Sequence, residues 1–331
     1  MDFSPNVNVI IGPNGSGKTN ILEAIVLLCM GKSFRAQDEA MVRYDQDTTK
    51  VIAELAQHSR SVQLRKTHDK TIDKSFIVKN QQLKRLSFQK TLPVVLFEPS
   101  FTQIISRGPD QRRDYFDTVL SRTYPGYGAI LNKYRLTLAQ RNSLLKNLSA
   151  PGDQLFVWDI ALSELGGAIA SHRQQLVNTM NCSLGQLYSH IAGSKHSVRL
   201  SYTTPLKLGD YTNSMISGLQ ALAVRDKERG FTSLGPHRED FAFFINNHPA
   251  HLSASRGENR TLLLALKIME ADLIKTQRQL APILLLDDVF SELDETRQTK
   301  LVEYFTDNQV IITSTTTTPL IQGISGKIFE L

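Results

Sequence analysis

The pattern of apolar and polar positions divides the chain into three stretches. The first begins with an apolar run, Val7–Ile11, and a glycine-rich turn, followed by a stretch from Asn20 to Met30 with apolar residues at helical spacing, which predicts strand, turn and helix. Between residues 51 and 86 apolar and polar residues partly alternate, as in half-buried antiparallel strands. Residues 92–97 form one more compact apolar strand. The first stretch therefore predicts an α/β unit that carries an antiparallel meander.

The middle and last stretches differ in period. From about residue 110 to residue 191 the apolar period is helical. The last stretch returns to α/β alternation, with a strand at 240–245, a helix at 257–274, a strand at 283–286, a helix at 291–304 and a strand at 310–313. We therefore predict an α/β fold with a mixed sheet, in which residues 1–108 and 230–331 form one lobe and residues 109–229 an inserted helical lobe.

Composition excludes several classes of protein. Of 331 residues 41% are hydrophobic and 21% are charged, which is typical of a globular protein and excludes a wholly disordered chain. Cys29 and Cys182 are too few for a disulfide framework, which favours a reducing cytosol. The longest apolar run, Ile21–Met30, contains Glu23 and is shorter than the roughly 20 residues that cross a bilayer. The residues before it lack a signal-peptide pattern, so we expect a cytoplasmic protein with no membrane partner.

The glycine-rich turn after the first strand fits the pattern G-x-x-x-x-G-K-[ST]. Glycines let such a loop wrap so that its N–H groups, with the N-terminus of the following helix, hold the β and γ phosphates of a nucleotide. Lys18 adds a positive charge, and the hydroxyl of Thr19 can bind Mg²⁺. The pattern predicts ATP and Mg²⁺ as cofactors, with a nucleotide loop formed by Gly12, Pro13, Asn14, Gly15, Ser16, Gly17, Lys18 and Thr19.

Two carboxylates end an apolar strand in the last stretch. Asp287 and Asp288 follow residues 282–286 directly, and buried parallel strands place their C-terminal ends at the ligand crevice. Taken alone, the pair could also end an ordinary strand at the surface. Beside a P-loop, a metal ligand and a base are needed at this place. We therefore predict that Asp287 holds Mg²⁺ together with Thr19, and that Asp288 deprotonates the attacking water, with Lys18 as a further catalytic residue.

A serine and a glycine open the predicted helix at 257–274. The free N–H groups of a helix start and the hydroxyl of Ser255 form an anion-binding N-terminus, which, with Gly257, could receive a γ-phosphate. Ser255 also satisfies a simpler interpretation, the N-cap of an amphipathic helix. The sequence leaves both interpretations open.

The order of these motifs resembles that of ATP-binding-cassette (ABC) ATPases. Four further strings narrow the resemblance: GKSFR from residue 31, GPDQRRDYFD from residue 108, GPHRED from residue 235 and DDVFSELD from residue 287. Together they closely resemble the RecF family of bacterial recombination mediators, relatives of the SMC proteins, over almost the whole chain. The helical insertion is too short for the long coiled coil of SMC proteins themselves.

The resemblance implies an ABC-type ATPase head that forms a homodimer on ATP, with the helix start at Ser255 and Gly257 of one subunit capping the ATP held by the other. It implies DNA as a partner, single-stranded or at single/double-strand junctions, and weak, DNA-stimulated ATP hydrolysis. It also implies work with RecR and RecO at single-strand gaps, in replication restart and in the SOS response. A nucleoid-associated protein is expected.

Three features depart from the pattern of the RecF family or of cassette ATPases in general. Arg256 and Glu258 stand where the RecF signature usually has glutamines, which changes the expected contacts to the γ-phosphate. The chain begins closer to the P-loop strand than the family pattern, so that either the start lies upstream or the sheet lacks an edge. Thr313 begins the segment where many cassette ATPases have a histidine, which predicts a weak γ-phosphate sensor and slow hydrolysis.

Basic residues suggest where DNA could bind. Lys and Arg number 38 against 32 Asp and Glu, a net charge of +6 that alone is a weak indication of a polyanionic partner. A group in the early helical lobe could track DNA phosphates or form solvated helix faces: Arg107, Arg112, Arg113, Arg122, Lys133, Arg135 and Arg141. Arg112 and Arg113 could instead make ion pairs inside the lobe. Two other functions stay open, a non-hydrolysing ATP-gated DNA scaffold, which Glu258 favours, and a cytosolic ABC transporter subunit, which the family strings disfavour.

Overall fold

The computed structural model describes residues 1–55, 58–67, 69, 71–98, 101, 103–106, 108–147, 152–304, 308–316 and 326–331. Within them the strands are β1 Val7–Ile11, β2 Thr48–Leu55, β3 His58–Lys66, β4 Ile72–Val78, β5 Gln81–Leu83, β6 Val94–Phe97, β7 Val198–Thr203, β8 Asp240–Ile245, β9 His248–Pro249, β10 Ile283–Asp287, β11 Val310–Ser314 and β12 Gly326–Glu330. The helices are α1 Lys18–Met30, α2 Gln103–Ser106, α3 Pro109–Thr123, α4 Tyr127–Lys146, α5 Gly152–Asn181, α6 Leu184–Ala192, α7 Tyr211–Ala221, α8 Ala223–Arg229, α9 Ala250–Ser253, α10 Arg256–Arg278 and α11 Glu295–Glu303.

The chain divides into two compact units. The first comprises Met1–Phe101 and Glu270–Leu331, and the second Thr102–Met269. These limits differ from those of the predicted lobes, because β8 pairs in antiparallel fashion with β7, a strand that the helical pattern did not predict. The segment from 230 to 269, including the first half of α10, therefore belongs to the second unit rather than to the predicted ATP-binding lobe.

The central sheet of the first unit is parallel, in the order β12-β1-β11-β10-β6. Its inner strands are nearly continuous apolar runs, as expected where both faces of a sheet are covered. Ile10, Leu285 and Ile311 form one buried cluster with Leu22 and Val26 of α1. The C-terminal ends of β1, β10 and β11 therefore lie beside the start of α1.

The meander of the first unit forms a separate antiparallel sheet, β2-β3-β4-β5, which packs its apolar face against α1. Its strand β3 carries Arg60, only 2% exposed, whose guanidinium donates to the carbonyl oxygens of Leu28 and Cys29 at 2.8 and 3.2 Å. Lys74 on β4 donates to the carbonyl oxygen of Gly31 at 3.0 Å. Both cations satisfy the carbonyls that the last turn of a helix leaves free. The predicted antiparallel meander is confirmed, but it forms a sheet of its own rather than part of one mixed sheet.

The second unit combines helices α2 to α9 with the small sheet β7-β8-β9. Helices α5 and α7 approach closely at two glycines, since a Cβ on Gly166 would lie 2.9 Å from the Sδ of Met215, and one on Gly167 would lie 2.5 Å from the Oγ1 of Thr212.

In the first unit, the predicted helix at 291–304 is shorter, because Asp294 is the N-cap of α11 and its side chain accepts the N–H of Arg297. No helix among the described residues is long and apolar enough to span a membrane.

Candidate nucleotide site

The loop between β1 and α1 is held in a wrapped shape by its glycines. Gly15 and Gly17 have φ angles of 86° and 98°, in the left-handed region that side chains other than glycine rarely adopt. The N–H of Ser16 donates to the carbonyl of Pro13 at 3.2 Å. A Cβ on Gly12 would lie 2.6 Å from the Oγ of Ser16. The glycine spacing therefore has a steric reason at each of these three positions.

Two side chains of the loop suit an anionic ligand. Lys18, 5% exposed, lies under the loop, and its ammonium donates to the carbonyl oxygens of Gly12 and Pro13 at 2.7 and 3.1 Å. The Oγ of Ser16 is buried, and no group in the described part of the chain hydrogen-bonds it. A buried hydroxyl without a partner is rare in proteins. A phosphate oxygen would satisfy it, so the loop fits a nucleotide.

The hydroxyl of Thr19 meets the carboxylate of Asp287, 268 residues further along the chain. Its Oγ1 lies 3.1 Å from Oδ1 and 3.0 Å from Oδ2 of Asp287. Because α1 begins where β10 ends, the two predicted Mg²⁺ ligands converge from different motifs. Mg²⁺ at phosphate sites is usually held by one or two protein oxygens together with the phosphates, and this pair fits that requirement.

The second carboxylate, Asp288, takes an unusual backbone conformation. Its φ of 51° is left-handed, and its carbonyl oxygen accepts the hydroxyl of Ser291 at 2.6 Å. Burial raises the pKa of the Asp288 carboxyl, the Lys18 ammonium opposes this rise, and the charge of Asp287 adds to it. A raised pKa makes an ionised carboxylate a stronger base, which is the property the predicted role requires.

Thr313 connects the carboxylate of Asp287 to the backbone of Asp288, a relationship that the motifs did not predict. Its side chain is fully buried, and its Oγ1 donates to Oδ1 of Asp287 at 2.7 Å. The same oxygen accepts the backbone N–H of Asp288 at 3.0 Å. The register of β10 and β11 pairs Asp287 directly with Thr313. Predicting this contact would have required knowing how β10 and β11 align.

The predicted helix start in the second unit forms a capping box. The Oγ of Ser255 accepts the N–H of Glu258 at 3.2 Å, and the Glu258 carboxylate accepts the N–H of Ser255 at 2.8 Å. Hydrogen bonds from Ser255 lower the pKa of the Glu258 carboxyl, so this side chain is charged at neutral pH. The N-cap interpretation of Ser255 is therefore realised, and Gly257 lies in the first turn.

The sequence and structure of this protein match those of known proteins over nearly its whole length. A family model described as RecF/RecN/SMC N terminal domain matches residues 1–325. Proteins named DNA replication and repair protein RecF, from Lachnospira eligens and Streptococcus uberis, are 32% and 36% identical to it over 95% and 96% of this chain and 88% of theirs. The chain belongs to the RecF family. The resemblance drawn from the ordered motifs is confirmed.

Solved RecF structures share the fold. The recombination mediator protein RecF-ATPrS in the RecFOR pathway matches at a TM-score of 0.86 and 29% identity, covering 100% of this chain and 91% of that chain. The Smc head domain from Pyrococcus furiosus matches at a TM-score of 0.50 and 14% identity, covering 97% and 86%, which shows the fold alone. The predicted ABC-type ATPase head is confirmed.

The RecF-like strings GPDQRR and GPHRED make hydrogen bonds within the second unit. Arg112 donates to both carboxylate oxygens of Asp240 at 2.8 and 2.7 Å. Arg113 donates to the carbonyl oxygen of Glu239 at 2.5 Å. The carboxylate of Glu239 accepts the hydroxyls of Tyr202, Thr204 and Tyr211. These strings therefore stabilise the packing of the unit.

The basic group predicted to track DNA is only partly exposed. Arg141 is fully buried, where it donates to Asp159 at 2.6 Å and to Asp226 at 2.9 Å. For Arg112 and Arg113 the ion-pair alternative is the correct one, with Asp240 and Asp110 as their partners. Arg141 is also paired, because a buried guanidinium needs charged partners. Lys133 and Arg135 are exposed, with Arg135 3.6 Å from Asp114, while Arg107 lies outside the described residues.

Proposed function

We propose that this protein is an ATP-dependent DNA replication and repair protein of the RecF type, which dimerises on ATP and hydrolyses it slowly. The observation that carries the proposal is the convergence of Thr19 and Asp287 beside the wrapped P-loop, at 3.0 to 3.1 Å. Relatives carry the name DNA replication and repair protein RecF, and a RecF-ATP structure matches this fold at a TM-score of 0.85.

The chain's own groups would divide the chemistry as follows. Loop N–H groups and the Lys18 ammonium bind the phosphates, and the Ser16 hydroxyl donates to one of their oxygens. Bound Mg²⁺, held by Thr19 and Asp287, would neutralise phosphate charge. Asp288 takes a proton from water as the water oxygen bonds to the γ-phosphorus, and the bond to the β–γ bridging oxygen breaks to leave ADP.

Dimerisation follows from the second motif. The N-terminus of α10 at Ser255 and Gly257 would cap the γ-phosphate of ATP bound by a second copy. The Glu258 carboxylate already accepts the N–H of Ser255, so the incoming phosphate meets a negative charge. Repulsion between the Glu258 carboxylate and that phosphate supports slow ATP hydrolysis. It also supports a second candidate, a DNA scaffold that dimerises on ATP without hydrolysing it.

Partners are proposed from the family. A related structure belongs to the RecFOR pathway, which supports RecR and RecO as partners of this protein. We propose single-stranded DNA or single/double-strand junctions as its DNA, and gap repair, replication restart and the SOS response as its setting, in a nucleoid-associated protein. Lys133 and Arg135 of the early helical lobe are exposed, so they are candidates for contact with DNA phosphates.

Binding of an ATP analogue tests the nucleotide site, and release of phosphate then tests hydrolysis. A fluorescent ATP analogue with Mg²⁺ should bind the wild type, and Lys18→Met should lose most of that affinity, while Lys50→Met, an exposed lysine of β2, should not. Phosphate release that rises on adding gapped DNA supports the ATPase. ATP-driven dimers without phosphate release would instead select the scaffold. No binding of the analogue by the wild type would overturn both.

A further inference from the structure

We propose that Thr313 is a positioning residue that fixes both acidic residues of the nucleotide site through its one hydroxyl. This inference rests on the proposed function of the site and deepens it. Thr313 stands where a γ-phosphate sensor was predicted, yet its side chain is fully buried and its hydroxyl is engaged by the two aspartates. It acts on the carboxylate of Asp287 and on the backbone of Asp288.

The hydrogen-bond capacity of a hydroxyl explains the arrangement. A threonine has one O–H to donate and two lone pairs to accept with. The donated hydrogen goes to Oδ1 of Asp287 at 2.7 Å, which is shorter than the 3.4 Å to the carbonyl of Leu286. A lone pair accepts the N–H of Asp288 at 3.0 Å. One side chain therefore connects the proposed metal ligand to the backbone of the proposed base.

The first bond fixes the rotamer of the Asp287 side chain. Asp287 ends β10, and beyond a strand end a carboxylate is free to rotate unless something holds it. Thr313 is its register partner on β11, so the contact is built into the sheet. With Oδ1 held, the carboxylate stays turned to Thr19 at 3.0 to 3.1 Å. Partners of this kind orient metal ligands and commonly change metal affinity by about 10–100-fold.

The second bond fixes the backbone at Asp288. A left-handed φ of 51° is unfavourable for a residue with a Cβ and persists only when its surroundings hold it. The N–H of Asp288 would be the natural donor to a ladder partner, but the strand ends here, and the Thr313 hydroxyl accepts it instead. Removing that acceptor frees Asp288 to relax toward an ordinary conformation and moves its carboxylate away from its position.

The test separates the hydroxyl from the methyl group. Thr313→Val keeps the shape and removes the hydroxyl, and Thr313→Ser keeps the hydroxyl and removes the methyl. The affinity of a fluorescent ATP analogue is measured for each protein in EDTA and in rising Mg²⁺. Thr313→Val should bind the analogue in EDTA like the wild type, yet need about 10–100-fold more Mg²⁺ for half of the Mg²⁺-dependent gain. Thr313→Ser should restore the wild-type Mg²⁺ response.

A control substitution shows whether any change in the Mg²⁺ response is specific to the Thr313 hydroxyl. Thr123→Val removes a hydroxyl that is also buried, 1% exposed, and bonded to the carbonyl of Val119, and should leave the Mg²⁺ response unchanged. If Thr313→Val does not fold, Thr313→Ala carries the same expectation. A wild-type Mg²⁺ response in Thr313→Val, or a response in Thr313→Ser as weak as that of Thr313→Val, overturns the inference. A wild type that binds the analogue no better than Lys18→Met overturns the proposed function itself.

Discussion

Arg60 of the meander donates to the carbonyl oxygens of Leu28 and Cys29, in the last turn of the helix that begins at the P-loop. A cation at a helix C-terminus is favourable, and here it is also buried, so the meander and the nucleotide loop hold opposite ends of α1. The meander therefore supports the site from the far end of the helix.

Replacing Arg60 by Met tests that support. The substitution leaves two buried carbonyl oxygens without their donor, and each such loss costs about 1–3 kcal/mol. We expect a lower midpoint of thermal unfolding and a weaker affinity for an ATP analogue. Arg65→Met, at an exposed position of the same strand, is the matched control. Equal unfolding midpoints for the two variants would show that the capping contact contributes nothing.

Asp288→Asn tests the proposed base. The amide keeps the shape of the carboxylate but cannot take the proton of the attacking water. We expect ATP binding to persist, phosphate release to fall at least about a hundredfold, and the ATP-bound dimer to accumulate. Single-turnover phosphate release and light scattering measure both quantities. Unchanged hydrolysis in this variant would refute the base assignment.

Two substitutions at the start of α10 test the dimer cap. Ser255→Arg should block ATP-driven dimerisation, because a long side chain fills the helix start, while the monomer still binds ATP. Glu258→Gln should favour the dimer, since glutamine can keep the capping box but carries no charge against the incoming phosphate. Light scattering with ATP measures dimerisation of both variants. Glu228→Gln, at an exposed position of the same unit, is the control. A normal dimer in Ser255→Arg contradicts the cap.

His237 predicts a pH dependence of stability. Burial lowers the pKa of its imidazole to about 4, and the ring is held between the Tyr134 hydroxyl at 2.7 Å and the Thr232 carbonyl at 3.0 Å. Below the ordinary histidine pKa of about 6.5 the unfolded chain binds a proton that the folded protein does not. The free energy of unfolding should therefore fall as pH falls from about 6.5 to 4, by up to about 1.4 kcal/mol per pH unit.

Denaturant unfolding at several pH values measures this slope. Between about pH 6.5 and 4, His237→Gln should be less dependent on pH than the wild type, because it removes the group whose proton uptake differs between the two states. His248→Gln replaces an exposed histidine of the same unit and should keep the wild-type slope. Parallel curves for wild type and His237→Gln would rule out this source of acid sensitivity.

The local features of the site could be predicted from sequence because their physics is local. Gly15 and Gly17 are needed where the backbone turns left-handed, and Ser255 and Glu258 have the spacing of a capping box within one helical turn. The apolar strand before Asp287 follows from burial on both faces. Such patterns depend on neighbours a few residues apart.

The partners of the basic residues could not be predicted in this way. The sequence shows Arg112 and Arg141 as basic residues on helices, and the same spacing serves a DNA-binding surface or a buried ion pair. Only folding places Arg112 against Asp240, 128 residues away, and Arg141 against Asp226, 85 residues away. The predicted phosphate-tracking surface was wrong for these side chains because their partners come from other elements.

The sequence by itself determined a P-loop, an acidic strand end, a helix start at Ser255 and membership of the RecF family, since each is a contiguous string with its own backbone or family pattern. Tertiary structure alone decided that Thr313 holds both aspartates. The physical reason is register. Which residue of β11 faces Asp287 depends on how two parallel strands align across a sheet, and that alignment is set by the packing of the whole core.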